Sequence, residues 1–388
     1  MLCLDVVQII CDFSDLKTQI NLFKSCKEYY DNLKIRKLNC SDSDGIGKRI
    51  TQKILRKRKF NCLQYLNANG NNNILYVNHL QNTLRELHCE GNCGINQKGI
   101  VDLKILQKLY ADDNKRITNV NHLQNTLIEL HCKNNCGIDQ KGISELKALQ
   151  ILHVNNNIKI TNVNHLRNSL IELQCNFDCG IDQKGISELK VLQKLGTCYN
   201  FKITDVNHLD MLIELDCNGD SGIDQNSISK LKILQILYAS DNNKITDVNH
   251  LQNTLKELIC TRNCGINQNG ISNLKVLQKL YANHNNKITN VNHLQNTLIE
   301  LYCCGNCGIN QNGISELKVL QILYVYYNKK ITDVNHLQNT LTELNCEGSE
   351  IDQNGISELK VLQKLYRADN NKITDLYNFC NTFNVVRK

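Results

Sequence analysis

The sequence predicts an α/β solenoid: a curved stack of short repeats whose strands form one parallel sheet of about 15 members, preceded by a small helical segment. Three observations carry this expectation. The pattern HLQNTLxELxC recurs with its His at positions 79, 122, 165, 208, 250, 293 and 336, in steps of 42 or 43 residues. Each such block holds two copies of a shorter unit, LxxLxxxxNxxI, whose second Leu serves as an anchor; fifteen anchors run from Leu66 to Leu365 in steps of 20 to 22. The first forty residues carry no such repeat and have helical apolar spacing instead.

The pattern has a physical reason. A unit of this size cannot bury its own apolar side, so neighbours must stack and share a core. Leu stands three residues before each anchor, as in Leu63, Leu106, Leu212 and Leu362, and Ile stands eight after it in all but one unit. Side chains alternate along a strand, so anchor and anchor+2 point inward. The latter is small, with Cys in one version (Cys89, Cys132, Cys175, Cys217, Cys260, Cys303 and Cys346) and Ala, Val or Thr in most of the other. Asn at anchor+5, as in Asn71, Asn114, Asn263 and Asn370, is expected to form a column that satisfies turn backbone groups. These residues resemble the leucine-rich-repeat family, in its units of about 22 residues, and the ITD or ITN after the Asn resembles the cysteine-containing subtype found in F-box proteins. The resemblance implies a horseshoe with a concave parallel sheet. At about 4.8 Å per strand, fourteen steps give an arc of roughly 70 Å.

Cysteine and histidine recur here as copies, whereas catalytic sites need unique residues. Of 20 Cys, seven form the inward column and Cys93, Cys136, Cys179, Cys264 and Cys307 sit at anchor+6. Successive inward Cys lie two strands apart, roughly 9 to 10 Å, beyond the reach of a disulfide. Packing in a reducing compartment is the reading, with metal or redox chemistry as the alternative. His79 and its equivalents read as polar turn residues. No catalytic residue, metal ligand or cofactor is expected.

The formal charge of +7 is local, since Lys48, Arg49, Lys53, Arg56, Lys57, Arg58 and Lys59 supply all of it. A phosphate-binding face along the array is therefore not expected. Neither a signal peptide nor an apolar run of membrane length is visible, which predicts an intracellular protein, cytoplasmic or nuclear. The basic stretch reads as an amphipathic connecting helix or as a nuclear-import signal. Leu38, Cys40 and Ile46 reproduce the repeat spacing and mark a degenerate first unit.

Before it, Val6, Ile10 and Phe13, then Leu16, Ile20 and Phe23, then Cys26, Tyr29 and Leu33 form three apolar stripes, predicting three short helices. With Leu2, Asp5, Ile10, Leu16 and the run Cys26-Lys27-Glu28-Tyr29, residues 1–40 resemble an F-box. Leu2-Cys3 stands where that family has Leu-Pro, and Tyr29 where it has Trp. The resemblance implies that Leu2, Leu4, Ile10, Leu16, Leu22, Cys26 and Tyr29 contact a Skp-type adaptor and, through it, a cullin. The alternative is a helical cap on the open end of the array. The Asn-rich, Pro-free composition and close-set duplications resemble F-box and leucine-rich-repeat proteins encoded by giant DNA viruses of amoebae. The domain reading is thus a helical segment at 1–40, a linker at 41–60, the array at 61–376 and a cap at 377–388.

Outward positions fall at anchor−1, +1, +3 and +4. Glu recurs at anchor−1 in one version and Lys alternates with Ile in the other, so Glu–Lys pairs across strands are expected. Residues that depart from their own internal consensus point to a partner surface: Arg262, His284, Tyr326 and Tyr327, with Tyr281, Tyr302 and Tyr324 beside them, and Phe177, Tyr199 and Cys304 as further departures. Tyr and Arg dominate binding hot spots. Two functions follow: a substrate receptor of a ubiquitin ligase, or a stand-alone interaction or decoy protein whose first helices only cap the array.

Overall fold

Each anchor leucine becomes the central residue of a three-residue strand, so its side chain points in while the two flanking residues point out. The computed structural model describes residues 3–41 and 47–374 and the backbone of 384–385. Leu2, Ile46 and the proposed closure by Leu376, Tyr377, Phe379 and Phe383 lie outside the described residues. The chain divides into two units, Met1–Leu192 and Gln193–Lys388.

The first unit opens with α1 (Leu4–Asp12), α2 (Leu16–Ser25) and α3 (Lys27–Asn32). Asp15 caps α2 by accepting from the Thr18 amide, and the Cys26 thiol caps α3 at the Tyr29 amide. In α1 the buried residues are Val7 and Cys11, whereas Val6, Ile10 and Phe13, expected to face inward, are exposed. The linker holds a four-residue helix, α4 (Gln52–Leu55), between two single 3-10 turns, in place of the continuous amphipathic helix expected there. Strands β1 (Lys37–Asn39), β2 (Tyr65–Asn67), β3 (Glu86–His88), β4 (Lys108–Tyr110), β5 (Glu129–His131), β6 (Ile151–His153) and β7 (Glu172–Gln174) pair in order, parallel and in register. Leu38 and Cys40 are buried and β1 pairs with β2 as a repeat strand would.

The second unit continues the same arrangement through β8 (Lys194–Gly196), β9 (Glu214–Asp216), β10 (Ile236–Tyr238), β11 (Glu257–Ile259), β12 (Lys279–Tyr281), β13 (Glu300–Tyr302), β14 (Ile322–Tyr324), β15 (Glu343–Asn345) and β16 (Lys364–Tyr366). β16 pairs in turn with β17 (Asn384–Val385). Arg367 stands at the inward position of the last repeat; it is half-buried there and donates to the Ile373 carbonyl at 3.1 Å.

Leucines, isoleucines and the small anchor+2 residues fill the interior of both units at essentially zero exposure. The described cysteines are all free thiols. The polar column is not uniform, as the sequence suggested, but alternates. Asn114, Asn157, Asn242, Asn285, Asn328 and Asn370 are buried, while Asn92, Asn135, Asn263 and Asn306 of the other version are exposed. In that version the interior place goes to Cys93, Cys136, Cys264 and Cys307 at anchor+6. Each buried amide closes a fixed set of bonds: Asn285 Nδ2 donates to the Cys260 and Ile266 carbonyls at 2.9 and 3.1 Å, and its Oδ1 accepts from the Lys287 amide at 2.9 Å.

Two further clamps join units on the outside. The Gln97 Oε1 accepts from the Thr118 and Asn119 amides at 2.9 Å while its Nε2 donates to the Asn119 carbonyl, and Gln140, Gln225, Gln268 and Gln311 repeat this. Lys159, Lys287 and Lys330 place Nζ on the carbonyls of Cys136, Cys264 and Cys307 at 2.9 Å.

The alternation gives a paired test. Asn285→Ala strands two buried carbonyls and lowers stability by about 2–3 kcal/mol, whereas Asn263→Ala, on an exposed turn, changes it by less than about 0.5 kcal/mol. Urea unfolding of the two variants measures the difference.

Candidate binding surfaces

The outward residue at anchor+1 carries a ring in most units, and parallel register brings these rings together. In the first unit Tyr65, His88, Tyr110, His131 and His153 form a row with successive centroids 5.3, 4.0, 4.4 and 4.1 Å apart. In the second, Tyr281, Tyr302 and Tyr324 stack at 4.4 and 4.6 Å, and Tyr324 reaches Tyr366 at 6.1 Å. The glutamates at anchor−1 run alongside. Lys108 pairs with Glu129, Lys194 with Glu214, Lys279 with Glu300 and Lys364 with Glu343, at 2.8 to 3.1 Å. Burial pushes the Glu129 carboxyl up, but bonds from Lys108 and from the Tyr110 hydroxyl at 2.7 Å outweigh it and hold the group below the usual range. Glu343 is held down in the same way by Lys364 and Tyr324.

The sequence-derived partner surface separates into two rows. Tyr281, Tyr302 and Tyr324 belong to the strand face just described. Arg262, His284 and Tyr327 sit at anchor+4, on the ridge where the chain turns away from the strands, with Tyr326 one residue before. Every one of the fifteen anchor+4 residues has positive φ, between 52° and 68°. Five are Gly; Asn134, Asn156, Asp113, Asp241 and Asp369 suit the conformation, but Phe177, Tyr199, Arg262, His284 and Tyr327 do not. These departures are accommodated in an ordered way. The Tyr199, His284 and Tyr327 rings lie over Gly219, Gly305 and Gly348 of the following repeat, where a Cβ would meet ring atoms at 2.4, 2.2 and 2.3 Å. Tyr326 meets Tyr327 edge-on at 4.6 Å, and the Tyr327 hydroxyl donates to Asp369 at 3.2 Å. Cys304 is 8% exposed and its thiol faces the Tyr324 carbonyl, so it is not part of the display.

The N-terminal helices present a third surface. Val6, Ile9, Ile10 and Phe13 form an exposed apolar strip on α1, with Phe13 83% exposed and only the Lys37 ammonium over its ring at 4.9 Å. Of the residues the F-box resemblance assigns to an adaptor, Ile10 lies on this strip; Leu4, Leu22, Cys26 and Tyr29 are half-buried, and Leu16 is 5% exposed and turned inward. Ile9 was missed because α1 is apolar on both sides, and spacing alone does not say which side the protein covers.

The repeated histidines are structural. Nε2 of His122, His165, His250, His293 and His336 sits 3.0 Å from an Ile carbonyl of the preceding repeat. No cluster of three or more His, Cys, Asp or Glu able to hold a metal occurs among the described residues. No described helix is long and apolar enough to cross a membrane.

No protein-family model matches the sequence, and no curated protein does. Solved structures do resemble the fold. A leucine-rich-repeat protein of Leptospira interrogans is 22% identical with a TM-score of 0.56, covering 91% of this chain and 98% of its own. TLR13, solved in complex with ssRNA13, is 18% identical with a TM-score of 0.51, covering 92% of this chain and 59% of its own. An internalin of Listeria monocytogenes is 17% identical, covering 87% of this chain and 94% of its own, at a TM-score of 0.42. The fold is that of the leucine-rich-repeat proteins.

Two predictions come from these rows. Burial depresses the pKa of His79, His122, His165, His250, His293 and His336, and takes His131, crowded by His153, down to about 4. A folded pKa below the unfolded value means that the unfolded chain takes up protons first. Stability is therefore full above about pH 6.5 and falls from there toward pH 4, with about 3 kcal/mol as the upper bound from His131. Thermal unfolding followed between pH 7 and 4.5 shows a falling midpoint, and His131→Tyr, which installs the ring found in other repeats, shallows the slope. In addition, Arg262→Asn relieves a left-handed residue held only by a 3.5 Å contact to Asp241, and raises stability by about 1 kcal/mol in urea unfolding.

Proposed function

We propose that this protein is a non-enzymatic, protein-binding adaptor: a substrate receptor whose strand face and turn ridge hold a target protein while α1 docks on the scaffold of a ubiquitin ligase through a Skp-type adaptor. The observation that carries target binding is the continuous row of rings on the strand face, bordered by paired Glu and Lys. Stacked rings offer large contact area with little side-chain entropy to lose, and their hydroxyls and ring nitrogens confer direction. The ridge supports the same reading. Bulky residues in left-handed conformations cost stability, and such strain concentrates at sites of function.

Scaffold docking is supported by the α1 strip. Four large apolar side chains exposed along one helix are what a partner covers. A stand-alone binding protein is the second reading, favoured by the way Gln8 ties α1 down, with its Oε1 accepting from the Lys34 amide at 2.9 Å, as a cap requires.

Affinity purification from cells with two double variants separates these readings. Ile9→Asp with Phe13→Asp removes adaptor and cullin but keeps the target, and Tyr302→Ala with Tyr324→Ala does the reverse. Recovery of no adaptor with the unaltered chain leaves the stand-alone reading in place.

A further inference from the structure

The basic linker and α2 enclose a groove that neither the ring rows nor the outer strip of α1 uses. It has a volume of about 330 Å³, near the lower end of ligand sites at about 300–1,000 Å³. Ile20, Phe23, Ile35, Ile54 and Phe60 make an apolar floor, and Arg49, Lys57 and Lys59 stand on its rim. An adjoining recess is lined by Lys34, Lys57, Arg58 and Lys59, with Asp31 as its single carboxylate and Tyr30 between the two depressions. Lys59 is pre-positioned: Nζ donates to the Leu33 carbonyl at 3.2 Å and lies 4.8 and 4.5 Å from the Phe23 and Tyr30 ring centres. Among the described residues of this segment the ion pair formed is Arg36 with Asp12, and Arg49, Lys57 and Lys59 make none.

Seven basic side chains in thirteen residues repel one another, and a fold tolerates that most readily where something acidic neutralises them. The rim cations come from separate places in the chain, the 3-10 turn at Gly47–Arg49 and the stretch after α4. They suit several carboxylates distributed along a chain, not a single headgroup. The open apolar floor has room for one or two side chains.

We propose that this groove binds an acidic linear peptide, with an apolar anchor side chain seated on Phe23, Ile54 and Phe60 and flanking Asp or Glu carboxylates on Arg49, Lys57 and Lys59. Anchoring comes from the floor; selection and fast encounter come from the rim, and both rim effects weaken with salt. The site goes beyond the receptor reading and does not depend on it.

The test pans a random peptide display library on the full chain and titrates the enriched peptides by fluorescence anisotropy. The expected motif is a large apolar residue flanked by acids. Its affinity falls at least tenfold in Arg49→Glu with Lys57→Glu, two exposed substitutions whose folding circular dichroism verifies, and falls again between 50 and 300 mM salt. Enrichment of non-acidic peptides, no enrichment, or equal binding to the charge-reversed chain overturns the proposal. So does dodecanoate binding in the groove where acidic peptides fail, which assigns it to lipid, or a dimer in sedimentation that the reversal dissolves, which assigns it to a second copy.

Discussion

No repeat of this chain can keep water from its own leucines. A three-residue strand and a short turn enclose too little volume, so the anchor leucine of one repeat is dry only because the next lies against it. The requirement fixes the other features. Strands must be parallel and in register, the anchor+2 side chain must be small, and the turn after each strand must leave at the same angle every time. The left-handed residue at anchor+4 sets that angle in all fifteen repeats, and it is the most uniform backbone feature of the molecule.

Stacking apolar side chains has no direction by itself, since one leucine column slides easily past another. Polar ladders remove that freedom. The buried Asn, the outer Gln and the turn His each bond backbone groups of an adjacent repeat at fixed distances, so a slip of one residue would break all three together. Because these bonds require neutral imidazoles and dry carbonyls, the same ladders make the fold sensitive to acid. Alternation of Asn with Cys shows that the interior needs one directional amide per pair of repeats, with a small apolar thiol sufficient between.

The apolar framework was legible in the sequence because period is a geometric quantity: Leu63, Leu66 and Ile74 and their copies occupy the places their spacing assigns. The column of Asn was legible as a residue type but not as a set, because Asn71 and Asn92 occupy the same step of the pattern and differ only in which neighbour displaces them, Ser or Ala against Cys at the adjoining interior positions being a matter of packing. Gln97 and its copies went unread because an exposed Gln carries no periodic signature of burial. The partner residues were found by comparing the chain with itself, yet their division into strand face and ridge depends on the backbone angle at Arg262, His284 and Tyr327, which no composition reveals. For α1, the hydrophobic stripe was correctly located and its facing was not, since Val7 and Cys11 compete with Ile10 and Phe13 for the interior.

A receptor built this way keeps its binding residues outside the core and changes them at small cost to the fold, the left-handed ridge excepted. The account rests on the sharing of one interior by neighbouring repeats, and a pair of internal deletions in the second unit tests that directly. Removing residues 268–310, one full period of 43, joins Asn267 to Gln311 and restores the pattern. The account predicts a folded chain with a single cooperative urea transition and a proportionally smaller denaturant slope, while removal of about two thirds of a period at the same point, which throws the columns out of step, unfolds the neighbouring repeats. Equal stability of the two deletions, or an unfolded chain after the full-period cut, would contradict it.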